Sequence, residues 1–169
     1  MLSERELAFI EVHKDSYPAV LRFVRRRVAS AEEAEEIAAD VFRVVWQKSD
    51  REDRTDVAWL LSIARNLIGN AYRSRDRQRA LQDKLRAMAV VQFGGESEQV
   101  AVEDAMAGLR AQDREILQLA YWDCLNTAEI AGMLQCSESA AKVRLHRARA
   151  AFRKRMPAGA VSMKQRMGA

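Results

Sequence analysis

A chain of 169 residues that is 49% apolar and 31% charged can fill one sizeable core or two small ones, and this composition argues against wholesale disorder. It has only two cysteines (Cys124, Cys136) and two histidines (His13, His146), no apolar run of transmembrane length and no secretory signal, so a cytoplasmic protein without metal or membrane insertion is expected. The net charge of +4 conceals an asymmetry: residues 1–80 carry 15 basic and 14 acidic side chains, residues 81–125 carry 4 and 8, and residues 126–169 carry 9 and 2, which concentrates at the C-terminal end the positive charge that a phosphate backbone requires.

Two prolines, seven glycines and apolar residues recurring every three or four positions predict an all-α protein. Ser3-Glu4-Arg5-Glu6 reads as a capping box opening a helix with Leu7, Ala8, Ile10 and Val12 as its apolar contributors. Tyr17-Pro18 is expected to interrupt it, with Pro18 in the first turn of a new helix that carries Val20, Leu21, Val24 and Val28 and ends on Arg25-Arg26-Arg27. Ser30-Ala31-Glu32-Glu33 reads as a second capping box, and the helix it opens runs to about Lys48. Ala34, Ile37, Ala38, Val41, Phe42 and Val45 mark its core side; Asp40, Arg43, Trp46 and Gln47 fall outside that stripe. After a polar loop, Ser49 to Thr55, a long helix is expected over about Asp56 to Arg79, with Trp59, Leu60, Ile63, Ala64, Leu67, Ile68 and Ala71 inward. Its remaining face carries Arg65, Asn66, Asn70, Tyr72, Arg73, Arg75 and Arg77. Amides, an aromatic ring and guanidiniums interleaved in this way supply what unstacked bases and phosphates need: edge hydrogen bonds, a stacking surface and neutralising charge.

The strong pattern lapses over residues 80–98, where a helical piece to about Val91 is followed by the linker-like Phe93-Gly94-Gly95-Glu96-Ser97. The organisation expected is therefore a helical domain over 1–80, a flexible linker over 81–98, a second helical domain over 99–157 and a poorly ordered tail over 158–169. Helices at about Glu98–Leu109 and Gln112–Asp123 would form a platform for the stretch that follows. There Asn126 with Glu129 makes a capping box, Ile130, Ala131, Met133 and Leu134 give an apolar side, Gln135-Cys136 forms a turn, and Ser137 caps a second helix with Ala140, Ala141, Leu145, Ala148 and Phe152 at helical spacing. Lys142, Arg144, His146, Arg147, Arg149, Arg153, Lys154 and Arg155 stand between them. This order of cap, helix, turn, cap and basic helix is that of a helix-turn-helix whose second helix enters a DNA major groove.

Two segments resemble regions 2 and 4 of the compact extracytoplasmic-function (ECF) sigma factors of bacterial RNA polymerase, in the sigma-70 family. In the first, residues 34–46 (AEEIAADVFRVVW) and 58–67 (AWLLSIARNL), followed by arginines, carry the resemblance; in the second, Asp113-Arg114-Glu115, residues 128–131 (AEIA) and residues 142–149 (KVRLHRAR) do. The chain departs from the family pattern at Ala39, at Gln135 where glycine is usual, at Ala140-Ala141, and before Asp113, where a proline is missing. The resemblance implies that the Glu33–Lys48 helix docks on the β′ clamp helices of core polymerase through Asp40, Phe42, Arg43, Trp46 and Gln47. It implies that the 49–55 loop and the next helix open and read the −10 element, with Asn66 and Asn70 near a flipped base and Arg65, Tyr72, Arg73, Arg75 and Arg77 along the strand. It implies that the second domain sits on the β flap and presents Lys142, Val143, His146 and Arg147 to −35 base edges, with Arg144 and Arg149 as phosphate contacts or intramolecular partners. An anti-sigma factor is an implied further partner.

Nothing in the sequence suggests catalysis: there is no nucleophile with a His and carboxylate, no glycine-rich phosphate loop and no metal cluster, and no cofactor is implied. A free-standing helix-turn-helix regulator would share the second domain but would require a dimerisation or ligand-sensing element, and a recombinase-like enzyme would require a catalytic cluster in the first.

Overall fold

The computed structural model describes residues 1–50, 55–79 and 96–157, with side chains over 1–50, 55–75 and 100–157. The expectations placed on the 51–54 loop positions, on residues 80–95 and on the 158–169 tail lie outside the described residues. All described elements are helices: α1 (Glu4–Arg25), α2 (Ala31–Lys48), α3 (Val57–Arg79), α4 (Glu96–Ala107), α5 (Ala111–Tyr121), α6 (Thr127–Leu134) and α7 (Glu138–Arg155). They belong to two compact units, Met1–Ala89 and Val90–Ala169.

In the first unit α1, α2 and α3 each pack on the other two. α1 begins at the expected box: Glu6 N–H donates to Ser3 Oγ, and Ser3 N–H donates to the Glu6 carboxylate at 2.7 Å. That hydrogen bonding holds the Glu6 carboxyl below the usual range. Two expectations for α1 are corrected. Pro18 lies inside one continuous helix and does not start a second. An internal proline costs roughly 3 kcal/mol in an isolated helix, because it removes one backbone donor and crowds the carbonyl four residues back. Here Lys14 and Pro18 are both on the exposed side, where water can reach the freed carbonyl. The opposite side holds the two halves together: His13 stacks on Tyr17 with centroids 5.0 Å apart, and Phe42 of α2 meets both rings at 4.5 and 6.0 Å. Because the helix is unbroken, one stripe must serve its whole length. That stripe is Phe9, His13, Ser16, Val20 and Phe23–Val24, which leaves Leu7 and Ile10 about half exposed, at 52% and 48%, and Ala8 on the surface.

α2 buries Ala34, Ile37, Ala38, Val41, Phe42 and Val45, as its periodicity predicts. Ser30 makes the hydroxyl half of the expected box by accepting from Glu33 N–H at 3.1 Å, while the Glu33 carboxylate is engaged by Arg75 of α3. α3 is capped by Asp56, whose carboxylate accepts from Trp59 N–H at 3.1 Å. Trp59, Leu60, Ile63, Ala64 and Ile68 are buried, with Ala58 and Leu61, and Leu67 and Ala71 are half-buried; Trp59 is a core residue.

In the second unit α7 packs against α4, α5 and α6. α4 starts at Glu96, inside the stretch expected to be linker. Its other end is held by Arg114, whose guanidinium donates to the carbonyls of Met106, Ala107 and Leu109 at 3.0–3.1 Å. A cation there meets the carbonyls at the helix end and the negative dipole end together. Gly108 sits in the same turn, where a Cβ would lie 2.5 Å from the Arg155 guanidinium. Ile116, Leu117, Leu119, Ile130, Ala131, Met133, Ala141, Leu145, Ala148 and Phe152 fill the core.

Candidate nucleic-acid interface

The helix-turn-helix is built by three local devices. Asn126 and Glu129 form a reciprocal capping box, at 2.8 and 3.0 Å, which fixes the start of α6. Gln135 ends α6 in the left-handed region, φ 53 and ψ 48, and Cys136 N–H closes the turn on the Ala131 carbonyl at 3.0 Å. Ser137 then accepts from Ala140 N–H at 3.1 Å and opens α7. The left-handed turn carries no glycine, a conformation that costs an L-residue about 1 kcal/mol or more. Cys124, just before α6, also has a positive φ of 56.

These devices set the direction of α7. Ala141, Leu145, Ala148 and Phe152 face inward, so residues half a turn away face out. Ser139, Val143, His146 and Arg147 are exposed on that outer face, with Val143 at 48%, and Lys142 and Arg144 are exposed on its two flanks. His146, Arg147 and Arg144 make no polar contact among the described residues. Arg149 is different. It is half-buried, its Nε donates to Tyr121 Oη, and its guanidinium lies 5.5 Å from the Tyr121 ring centroid. Of the two roles left open for Arg149, phosphate contact or intramolecular partner, the structure shows the second: it braces α7 on α5 and is set aside from the DNA-facing residues.

Lys142 has company that the sequence reading missed. Its Nζ lies 3.2 Å from Glu138 Oε1, and the same oxygen accepts from Thr127 Oγ1 of α6 at 3.0 Å. The Thr127 hydroxyl first, and Lys142 second, hold the Glu138 carboxyl below the usual range, so it is ionised at neutral pH. The i, i+4 spacing with the acid N-terminal was visible in sequence; the threonine from another helix was not.

On α3 the polar residues divide by direction. Asn66, Asn70 and Arg73, at i, i+4 and i+7, are exposed together, and Arg73 donates to Asn70 Oδ1 at 3.0 Å and to the Gly69 carbonyl at 3.2 Å. Tyr72 and Arg75 lie nearer the other helices: Tyr72 Oη donates to the Arg27 carbonyl, and Arg75 pairs with Glu33, which is only 12% exposed. Arg65 is half-buried. Arg77 lies within α3, and its side chain is outside the described residues.

On α2, Phe42 is 3% exposed and belongs to the aromatic core with Phe9, His13 and Tyr17; its assignment to a partner surface is corrected. The surface that remains is Asp40 and Arg43, paired at 2.6 Å, with half-buried Trp46 and exposed Gln47. Arg5, which sequence reasoning treated only as part of a capping box, organises this end. Its guanidinium lies 4.1 Å over the Trp46 ring, donates to the Trp46 carbonyl at 2.8 Å and to Ser49 Oγ at 3.0 Å, and pairs with Asp50 at 2.8 Å. One planar cation thus caps α2, stacks on its tryptophan and holds the start of the loop to α3. Among the described residues, no helix is long and apolar enough to cross a membrane.

Known proteins match both units in this order. Sigma-70 region 2 matches residues 13–78, and sigma-70 region 4 matches residues 99–152. The ECF RNA polymerase sigma factor SigL of Mycobacterium tuberculosis is 28% identical over 165 residues, covering 88% of this chain and 89% of that protein. The ECF sigma factor RpoE of Cereibacter sphaeroides is 40% identical over 81 residues, covering 46% of this chain and 44% of that one. Among solved structures, the sigma factor RpoE bound to the anti-sigma factor NepR from Bartonella quintana aligns with a TM-score of 0.67 and 24% identity over 88% of this chain and 96% of that one. CnrH, solved with the cytosolic domain of CnrY, aligns with a TM-score of 0.62 and 23% identity over 88% and 86%.

Proposed function

The chain belongs to the sigma-70 family, among the ECF sigma factors, and on that premise we propose how its surfaces divide the work of promoter recognition. An ECF sigma factor binds core RNA polymerase and directs it to −35 and −10 promoter elements; it is an initiation factor, and bond making is left to the polymerase. In our reading the outer face of α7 meets the −35 element. Val143, His146 and Arg147 face the base edges, Lys142 reaches them from one flank, and Arg144 serves a phosphate. Arginine is suited to guanine O6 and N7 by its bidentate fork, and Val143 to an apolar base edge such as the thymine methyl. The exposed Asn66–Asn70–Arg73 face of α3 receives the unstacked −10 strand. Asparagine edges pair with a flipped base, and Arg73, Arg65 and Arg77 supply charge along the backbone, while Arg75 is held by Glu33. Tyr72 acts mainly as a brace.

The α2 surface of Asp40, Arg43, Trp46 and Gln47 docks on the β′ clamp helices, and the second unit docks on the β flap. Each DNA site is modest alone, and attachment to one polymerase raises the effective concentration of the second once the first is engaged. The sigma factor RpoE was solved with the anti-sigma factor NepR, and CnrH, of the same fold, with the cytosolic domain of CnrY; an anti-sigma factor acting in the cytoplasm is the regulator that fits this chain. The observation that carries this reading is the outward face of α7, basic and apolar side chains exposed together on a helix whose start is set by the caps of α6 and by Ser137. The test is transcription in vitro from a pool of genomic fragments, with purified core polymerase and this chain. Initiation at a shared pair of −35 and −10 sequences is expected; the absence of chain-dependent initiation from every fragment would overturn it.

A further inference from the structure

We infer that Glu138 is a positioning residue for promoter specificity: held by Thr127, it keeps the Lys142 ammonium on −35 base edges and away from the neighbouring phosphates. The inference rests on the −35 reading of α7 and adds to it a residue that carries the wrong charge for DNA.

The geometry makes the case. Lys142 lies on a flank of the outer face, where a long flexible cation would by default reach the nearest phosphate, since phosphate contacts dominate affinity and ask little of geometry. Its ammonium instead lies 3.2 Å from Glu138 Oε1, one turn towards the N-terminus of α7. That is the end of a recognition helix that contacts base edges. An exposed i, i+4 pair would not by itself hold such a side chain in place, because solvent screens it and both side chains lose freedom in forming it. Here the carboxylate is fixed from a second direction, because Oε1 also accepts from Thr127 Oγ1 at 3.0 Å, and Thr127 stands at the start of the capped helix α6. The anchor therefore spans both helices of the motif. It occupies one of the three ammonium donors and leaves two for guanine O6 and N7. The carboxylate charge also repels a phosphate that would draw Lys142 aside.

The test uses holoenzyme reconstituted with full-length chain, and reads two quantities on a −35 library carrying every single base-pair change: relative initiation, and the slope of log binding against log salt. Lys142→Ala first identifies the base pair that depends on Lys142. Glu138→Gln is expected to reduce discrimination at that same base pair by about fivefold to tenfold, and to steepen the salt slope by about one ion as the freed ammonium takes a phosphate. Thr127→Val should move both readouts in the same direction, by less. In a Lys142→Ala background Glu138→Gln should leave discrimination unchanged, an outcome that a general loss of helix stability would not give. If Lys142→Ala changes discrimination and Glu138→Gln leaves both it and the salt slope untouched, the positioning role is wrong while the −35 reading stands. If Lys142→Ala changes discrimination nowhere, base reading by Lys142 fails and the Glu138 role falls with it.

Discussion

On α3, the side chains nearest the neighbouring helices are tied into the fold: Tyr72 to the Arg27 carbonyl and Arg75 to Glu33. On α7, Val143, His146 and Arg147 project from the helix, while Arg149 is turned back onto Tyr121. The difference follows from how each helix is fixed. α3 is long, and its C-terminal half extends past the buried stretch ending at Ile68, so polar braces take over where apolar packing stops. α7 is buried at even intervals through Ala141, Leu145, Ala148 and Phe152, and so its outer face, Val143 with His146 and Arg147, is left free of packing. In general, a charge on a recognition helix is informative about its ligand only after the charges that hold the helix have been set aside.

Removing a charge that has no structural duty should have the largest effect on promoter choice and almost none on folding. Arg147→Ala is expected to lower −35-dependent initiation by tenfold or more, the size of about 1–3 kcal/mol for a bidentate base contact, with the melting temperature unchanged. Co-purification with core polymerase should persist. A fall in melting temperature comparable to that of a core variant would erase the contrast between the two helices.

Glu33→Ala probes the other side. It leaves the Arg75 guanidinium without its partner, and because Glu33 is largely buried and Arg75 partly exposed, a loss of about 1–2 kcal/mol of stability is expected in the first unit. That corresponds to a lower melting temperature by roughly 4–8 °C per kcal/mol in a domain of this size. Full stability in urea or thermal unfolding would show the pair to be a surface ornament and return Arg75 to the DNA-binding set. Tyr72→Phe should cost less, about 0.5–1.5 kcal/mol, since it removes one hydrogen bond and keeps the ring. A large loss of −10 opening at unchanged stability would instead make Tyr72 a strand contact.

What could be read in advance divides along similar lines. The inward stripe of α2 and the caps of α6 and α7 were legible because each is a local pattern, fixed by spacing within one turn or two. Pro18 was misread because what holds α1 together across it comes from α2, through Phe42 against His13 and Tyr17. Leu7 and Ile10 then fell off the stripe that a single helix requires. Within the site, the exposed faces of α3 and α7 were visible as residue types. The separation of Tyr72, Arg75 and Arg149 from the outward residues was not, because their partners Arg27, Glu33 and Tyr121 lie 28 to 45 residues away in the chain. Arg5 escaped for the same reason: its contacts at Trp46, Ser49 and Asp50 are set by how α1 crosses the end of α2.

The smallest expected effect tests whether the direction of α7 depends on the strain at its turn. Gln135 holds φ 53 without the benefit of glycine. Gln135→Gly removes the Cβ clash at the cost of extra freedom in the unfolded chain, and a net gain of about 0.5–1 kcal/mol in the second unit is expected. Since the turn is already closed by the Cys136 N–H to Ala131 hydrogen bond, the relaxed turn should keep the same geometry. Preference among −35 base pairs should therefore be unchanged while urea midpoints rise. If the preferences shift instead, the strained turn helps to aim α7, and the contrast with α3, whose direction is set by braces along its length, becomes sharper.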